Sequence, residues 1–147
     1  MNYSDIEIEL KHRLENSSQV ERFSTDFHIN GSSLLELLCK EGGGHNDFMG
    51  CFVRGFDKQN NEAEKILKCK SKPKTESGRV LLYICPECGD IGCGAYGAFV
   101  EKEGAVYVWK DFAYENGYED PAPIENVGPF HFNAESYETS INQAKNI

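Results

Sequence analysis

The arrangement of the strands is decided by residues 80–112, VLLYICPECGDIGCGAYGAFVEKEGAVYVWKDF. Residues 80–85 are almost continuously apolar, which is typical of a strand that is buried on both faces. After the glycine-rich and cysteine-rich segment, residues 95–101 and 105–112 flank the dipeptide Glu103-Gly104. Two such runs on either side of a short turn predict a β-hairpin. A mainly antiparallel sheet is therefore expected.

Upstream of this stretch, residues 23–29 predict a further strand that ends at the turn dipeptide Asn30-Gly31. The pattern Ser33-x-x-Glu36 is a capping box and predicts the start of a helix. Three glycines at 42–44 predict that this helix ends at Glu41. Residues 7–14 fit either a short helix or a strand.

The remaining segments complete the prediction. Residues 48–56 favour a strand, residues 61–69 a second helix, and residues 114–129, which contain three prolines, an irregular excursion. Residues 129–132 favour a short strand. Asn133 can cap a final helix whose apolar face carries Tyr137, Ile141 and Ala144. This order predicts a single α+β domain over residues 1–147, with a mainly antiparallel sheet and two or three helices. It leaves open whether residues 1–20 are loosely attached.

Length and composition exclude several classes of protein. The 147 residues are enough to bury a core, and 12% aromatic residues with 27% charged residues is not a disordered composition. No stretch approaches the roughly 18 apolar residues of a membrane span. The first residues, MNYSDIEIELKHRLENSS, lack the basic-then-apolar order of a signal peptide. We therefore expect a cytoplasmic protein without a membrane partner.

The net charge of −9 argues against nucleic acid as a partner, because affinity for a duplex rests mainly on Lys and Arg. Charge is also unevenly placed. Residues 54–79 carry eight basic and four acidic residues, whereas residues 111–147 carry one basic and seven acidic residues. This distribution has two interpretations. The charges form a solvated surface whose opposite signs balance within one fold, or the acidic region is a docking surface for a basic partner.

Half of the six cysteines fall in one glycine-rich segment, and these are Cys85, Cys88 and Cys93. A Cys-x-x-Cys pair can hold one tetrahedral metal ion, but a closed structural zinc site needs four ligands. Cys69 is the first candidate for the fourth ligand, with His45 and Cys51 behind it. The cofactor prediction is accordingly either none or one structural zinc.

Two other interpretations of the cysteine segment compete with zinc. A redox Cys-x-x-Cys site places its first cysteine at a helix N-terminus, and Gly-Asp-Ile-Gly after Cys88 is a poor helix start. The remaining interpretation is a set of reduced, partly buried thiols in a turn between two strands, as expected for a cytosolic chain.

Aromatic rings and carboxylates are concentrated in residues 109–118. We expect Trp109 and Phe112 to lie in the core, and Tyr114 and Tyr118 to be exposed, since Tyr and Trp are frequent in binding hot spots. Asp111 and Glu115 have the residue types of an acid/base pair, but nothing in the sequence places a substrate between them. No catalytic residue is therefore assigned.

The segments LYICPECGDIGCGA, VWKDFAYENGY and GPFHF, together with FHINGSSLLELL, resemble a group of small bacterial proteins that carry the bare label oxidoreductase. The resemblance covers roughly residues 23–143. It implies a fold more than an activity, since no cofactor fingerprint accompanies it.

In size, acidity and predicted location, the chain is also loosely similar to immunity proteins of bacterial toxin systems, including contact-dependent growth inhibition. This similarity implies a non-catalytic module that binds and neutralises a basic toxin domain, since complementary charge speeds encounter. The residues assigned to the contact are Tyr114, Glu115, Tyr118, Glu119 and Asp120. The alternative hypothesis is a zinc- or thiol-dependent protein centred on the cysteine segment.

Overall fold

The structure is a computed structural model that describes residues 2–15, 20–86 and 91–147. Its strands are β1 (Ile6–Arg13), β2 (Arg22–Ile29), β3 (Ser32–Ser33), β4 (Met49–Gly50), β5 (Val80–Ile84), β6 (Ala95–Glu103), β7 (Val106–Glu115), β8 (Ala122–Pro123) and β9 (Phe130–Asn133). Its α-helices are α1 (Leu34–Leu38), α2 (Asp57–Leu67) and α3 (Ala134–Lys145). The predicted α+β class is confirmed.

The strands form two antiparallel sheets that meet at residues 52–54. One sheet has the order β1-β2-β3, and the other has the order β4-β5-β6-β7-β8 with β9 also paired to β7. The backbone N–H of Thr25 in β2 donates to the carbonyl of Phe52 at 3.1 Å, and that of Arg54 donates to the carbonyl of Phe23 at 2.8 Å. These two bonds join the sheets, so their buried faces share one core.

The predicted hairpin is confirmed as β6 and β7, which pair at eight positions. Their pairing runs from Glu103 opposite Val106 to Ala95 opposite Glu115, with a bulge between Gly97 and Phe99. Because β7 continues to Glu115, the irregular excursion predicted from residue 114 begins later than expected. The last two residues of β7 therefore lie within the segment that the sequence predicted to be irregular.

The segment of residues 7–14, which fitted either element, forms a strand as far as Arg13. All eight residues of β1 pair with β2, and Ile6 packs into the core. The predicted long strand over residues 48–56 is wrong, because only Met49–Gly50 is paired as a strand. The buried Asn60 side chain accepts from the N–H of Val53 at 3.0 Å and donates to its carbonyl at 2.8 Å. The Asn60 amide thus takes the place of a neighbouring strand as hydrogen-bond partner for the backbone of Val53.

Two predicted helix starts are confirmed by their caps. The Ser33 hydroxyl accepts from the N–H of Glu36 at 3.2 Å, and the Asn133 side chain accepts from the N–H of Ser136 at 3.2 Å. α1 ends at Leu38 and is followed by a wider helical turn over Cys39–Gly43, where the sequence predicted one helix to Glu41. On α3, the predicted apolar residues Tyr137, Ile141 and Ala144 are buried.

The centre of the core is Trp109 on β7, as the sequence predicted. Its indole N–H donates to the Tyr137 hydroxyl at 3.1 Å, and this hydroxyl donates to the Leu67 carbonyl at 2.7 Å. The rings of Phe27 and Phe132 meet Trp109 edge-on, at centroid distances of 5.2 and 5.3 Å. Trp109 thereby ties β7 to β2, β9, α2 and α3.

Glu64 on α2 pairs with Lys68 at the end of the same helix and with Lys145 on α3. Its carboxylate lies 3.0 Å from Lys68 Nζ and 3.1 Å from Lys145 Nζ. Burial raises the pKa of Glu64, but the hydrogen bonds from Lys68 and Lys145 outweigh it, so the pKa lies below its ordinary value of 4.5. The charged carboxylate therefore stabilises the folded state.

We expect Glu64→Gln to lower the free energy of unfolding at pH 7 by about 1 kcal/mol, because two charged hydrogen bonds are lost. A depressed folded-state pKa contributes stability above the unfolded-state pKa and loses it as pH falls through the folded-state value. The difference between wild type and variant should therefore shrink below about pH 4.5. Urea unfolding of both proteins at pH 7 and pH 3.5 measures this difference in stability. The control is Glu7→Gln, because Glu7 is exposed and forms no ion pair with any described residue. A difference that grows on acidification would contradict the assignment.

Candidate functional site

The five residues predicted to bind a partner divide into a buried pair and an exposed group. Tyr114 and Glu115 are the last residues of β7, and pairing with β6 draws both into the fold. Tyr114 is half-buried, and its ring stacks on His45 with the centroids 4.8 Å apart. Glu115 is 5% exposed. The expectation that Tyr114 is exposed is wrong, and Glu115 does not belong to the outer surface.

Tyr118, Glu119 and Asp120 are exposed, and Tyr118 retains 83% of its accessible surface. The turn that carries them is held by Asn116, whose side-chain oxygen accepts from the N–H groups of Tyr118 and Glu119, both at 3.0 Å. This is the local side-chain-to-backbone bond that favours asparagine in turns. We call Tyr118, Glu119 and Asp120 the acidic turn.

Below the acidic turn lies a cavity of about 690 Å³, which we call the acidic cavity. Glu119 and Asp120 line it together with residues 74–77. Glu115 also lines it, and its Oε2 atom is buried without a hydrogen-bond partner among the described residues. The predicted contact residues are therefore brought together in two layers, an exposed turn and a buried carboxylate beneath it.

The cysteines predicted to bind zinc are not all gathered. Cys88 lies outside the described residues, and Cys93 is disulfide-bonded. Cys85 is a free, half-buried thiol that follows β5, whose Ile84 pairs with Ala95. The Cys69 thiol lies 3.7 Å from the Val100 carbonyl. Val100 is five residues along β6 from Ala95, which corresponds to about 16 Å.

The fourth ligand is therefore not supplied by Cys69, because all ligands of a zinc ion lie within about 2.3 Å of it. His45 lies nearer to the segment, since its ring stacks on Phe48 and Tyr114. A Cβ on Gly94 would lie 2.8 Å from the Tyr114 hydroxyl, so these rings pack against the residue after Cys93. Within the described ranges, no three His, Cys, Asp or Glu side chains form a group suited to a metal ion.

Three free thiols lack the properties of a reactive cysteine. Burial raises the pKa of the Cys39 and Cys69 thiols above their ordinary value, and it raises that of Cys51 to about 12. Nucleophilic attack requires the thiolate, which is scarce at neutral pH when the pKa is raised. Metal analysis and thiol titration of the purified protein would test the prediction of a zinc- or thiol-dependent site.

A buried polar network that connects the two sheets escaped the sequence analysis. The Asp26 carboxylate accepts from the Ser33 hydroxyl at 2.6 Å and from the Tyr83 hydroxyl at 2.5 Å, beside a cavity of about 410 Å³. These residues are far apart in the sequence, so no local pattern indicated the network. The Ser33 hydroxyl bonds to Asp26 and to the N–H of Glu36, and this is not the serine–histidine contact of nucleophilic catalysis.

The helices provide one further finding. In the part of the chain that the structure describes, no helix combines the length and the apolar character needed to cross a bilayer. Comparisons with protein-family models, with curated proteins and with solved structures found no match to this chain.

Proposed function

We propose that this protein is a non-catalytic binding module that recognises a basic protein domain through the acidic turn. In this proposal it is a cytoplasmic immunity protein that neutralises a cognate bacterial toxin domain. The observation that carries the proposal is the 83% exposure of Tyr118 beside the exposed carboxylates of Glu119 and Asp120. A large exposed aromatic residue with unpaired charges on a fixed turn is suited to contact another protein.

Tyr118 has the properties of an interface anchor. Tyrosine offers a wide apolar face and a hydrogen-bonding hydroxyl, and it is enriched among residues that dominate binding energy. Because Asn116 holds the backbone of the turn through two hydrogen bonds, docking costs less conformational freedom than it would in an unsupported loop. The turn is thus preorganised for a partner.

The charges of the acidic turn are not neutralised by a cation among the described residues. Neither Glu119 nor Asp120 forms an ion pair with any described residue. Lys74, which lines the same cavity, lies 2.8 Å from Glu62 instead. Unpaired surface carboxylates attract a basic protein and raise its rate of association, most strongly at low salt.

Reversing the two charges of the acidic turn tests the proposal. We expect the double substitution Glu119→Lys and Asp120→Lys to weaken binding at least tenfold, or about 1.4 kcal/mol. The partner to use is the basic toxin domain that the proposal expects to be encoded beside this gene, and calorimetry at two salt concentrations provides the affinities. The loss should be larger at low salt, because screening weakens exposed charges.

The matched control is the double substitution Glu7→Lys and Glu103→Lys. Both residues are exposed, and the change in net charge is the same, but Glu7 lies on β1 and Glu103 at the tip of the β6–β7 hairpin. This control should retain most of the affinity. Equal affinities of the wild type and the acidic-turn variant would refute the placement of the contact, and equal losses in both variants would reduce it to an effect of net charge.

A further inference from the structure

We propose that the acidic cavity is a receptor for one basic side chain, lysine or arginine, which the partner inserts so that its cationic group meets Glu115. The inference rests on the proposed function and assigns it a second, buried point of recognition. Glu119 and Asp120 belong both to the acidic turn and to the lining of the cavity. A side chain that enters beside the turn therefore reaches Glu115 within the same interface.

Glu115 is built into the fold as an unsatisfied group. It is 5% exposed, and its Oε2 atom is buried without a hydrogen-bond partner among the described residues. A buried carboxylate oxygen that lacks a partner is costly, and this cost is recovered when a cationic donor arrives. The carboxylate is thus poised to accept a charged hydrogen bond.

The space around this carboxylate depends on a glycine. Gly97 on β6 lies diagonally across from Glu115, and a Cβ at this position would stand 3.2 Å from Oε2 of Glu115. It would also lie 3.0 Å from the Val80 carbonyl. The glycine therefore leaves room for the carboxyl group of Glu115, which lines the acidic cavity.

The nearby cations of the chain are engaged elsewhere. Lys74 pairs with Glu62 at 2.8 Å. Arg79 donates its Nε–H to the Asp111 carbonyl at 2.8 Å, and its guanidinium lies over the Phe99 ring, 4.5 Å from the centroid. Neither supplies the missing donor to Glu115, so the donor must come from outside the described residues of the chain.

The size and walls of the cavity favour a side chain over a metal ion. A volume of about 690 Å³ greatly exceeds that of an ion. Leu81, Ile91 and Pro121 provide apolar walls, and lysine and arginine carry long aliphatic stems that pack on such surfaces while the charge reaches a polar group. The described residues also contain no group of three His, Cys, Asp or Glu placed to hold a metal.

The test uses the full chain and N-acetyl-arginine amide as the probe, followed by two-dimensional ¹⁵N NMR. We expect saturable shifts of the Gly97 and Gly117 amides in the wild type, and an affinity at least tenfold lower in Glu115→Gln. The equally sized neutral analogue, N-acetyl-citrulline amide, should leave these amides unshifted. Glu103→Gln, which removes an exposed carboxylate elsewhere, should bind the probe as the wild type does.

Several outcomes would overturn the inference. The first two are amide shifts that do not saturate in the wild type, and equal shifts with the arginine and citrulline probes. The others are unaltered probe affinity in Glu115→Gln, and shifts of the same amides by calcium chloride at lower concentrations than the arginine probe requires. The comparison of arginine with citrulline needs no variant, so it remains decisive if Glu115→Gln fails to fold. If the probe binds but the acidic-turn double substitution leaves the affinity for the toxin domain unchanged, the cavity inference stands and the proposed docking surface is rejected. If the probe does not bind but the double substitution weakens toxin binding, the docking surface stands and the cavity inference is rejected.

Discussion

Replacing Gly50 with alanine is expected to lower the free energy of unfolding by at least about 3 kcal/mol, because the new methyl group has no room. A Cβ on Gly50 would lie 1.6 Å from the carbonyl oxygen of Thr25 and 2.8 Å from its carbonyl carbon. Both atoms belong to the backbone, so no side-chain rotation relieves the overlap. β4 would have to separate from β2.

That separation would disturb both sheets. Gly50 pairs with Tyr83 of β5, and the N–H of Thr25 donates to the Phe52 carbonyl at 3.1 Å, so the two backbones are held on either side of the contact. Urea unfolding followed by the fluorescence of Trp109, the one tryptophan of the chain, measures the loss.

Gly104→Ala is the control for the Gly50 variant. A Cβ there meets no atom within 4 Å, although its φ of +61° makes any L-residue strained. The cost should stay near 1 kcal/mol. The steric explanation would be refuted by a Gly50 variant as stable as the Gly104 variant.

Removing the Trp109 side chain has the second large expected effect. Trp109→Ala should cost about 3–5 kcal/mol, since it leaves a cavity at the centre of the core. It also removes the indole N–H that donates to the Tyr137 hydroxyl at 3.1 Å, and it removes the edge contacts with Phe27 and Phe132. Because the variant lacks tryptophan, circular dichroism in urea is the appropriate measurement.

Trp109→Phe separates packing from the hydrogen bond. Phenylalanine retains an aromatic ring among Phe27, Phe132 and Tyr137 but supplies no donor, so we expect a cost between that of the alanine variant and zero. In the wild type the Tyr137 hydroxyl also donates to the Leu67 carbonyl at 2.7 Å, and this bond does not involve Trp109. Its retention in Trp109→Phe limits the loss of stability. A phenylalanine variant less stable than the alanine variant would contradict the central role assigned to ring packing.

The candidate site was only partly visible in the sequence. Tyr118, Glu119 and Asp120 stand in a polar turn beyond the last strand, and local residue types suffice to predict their exposure. The burial of Glu115 required the pairing of its backbone with Ala95 and the absence of a side chain at Gly97, neither of which leaves a local pattern. The acidic cavity was invisible for the same reason, because residues 74–77 reach it from another part of the chain.

The cysteine segment shows the same limit. Spacing alone singles out Cys85, Cys88 and Cys93 as one candidate segment, because they are close in the sequence. The choice of Cys69 as a fourth ligand depended on distance through the sheet, and the structure places this thiol beside Val100 instead. Only the register of β5 against β6 decides that distance.

The sequence by itself determined the hairpin of residues 95–112, the caps at Ser33 and Asn133, the buried face of α3 and the core position of Trp109. Each of these depends on interactions within a few residues, where periodicity and side-chain chemistry act directly. Tertiary structure alone decided that the two sheets meet at residues 52–54 and that a carboxylate lies unsatisfied beneath an exposed acidic turn. These features arise from contacts between distant segments, and the free energy of such contacts depends on packing that no local pattern encodes.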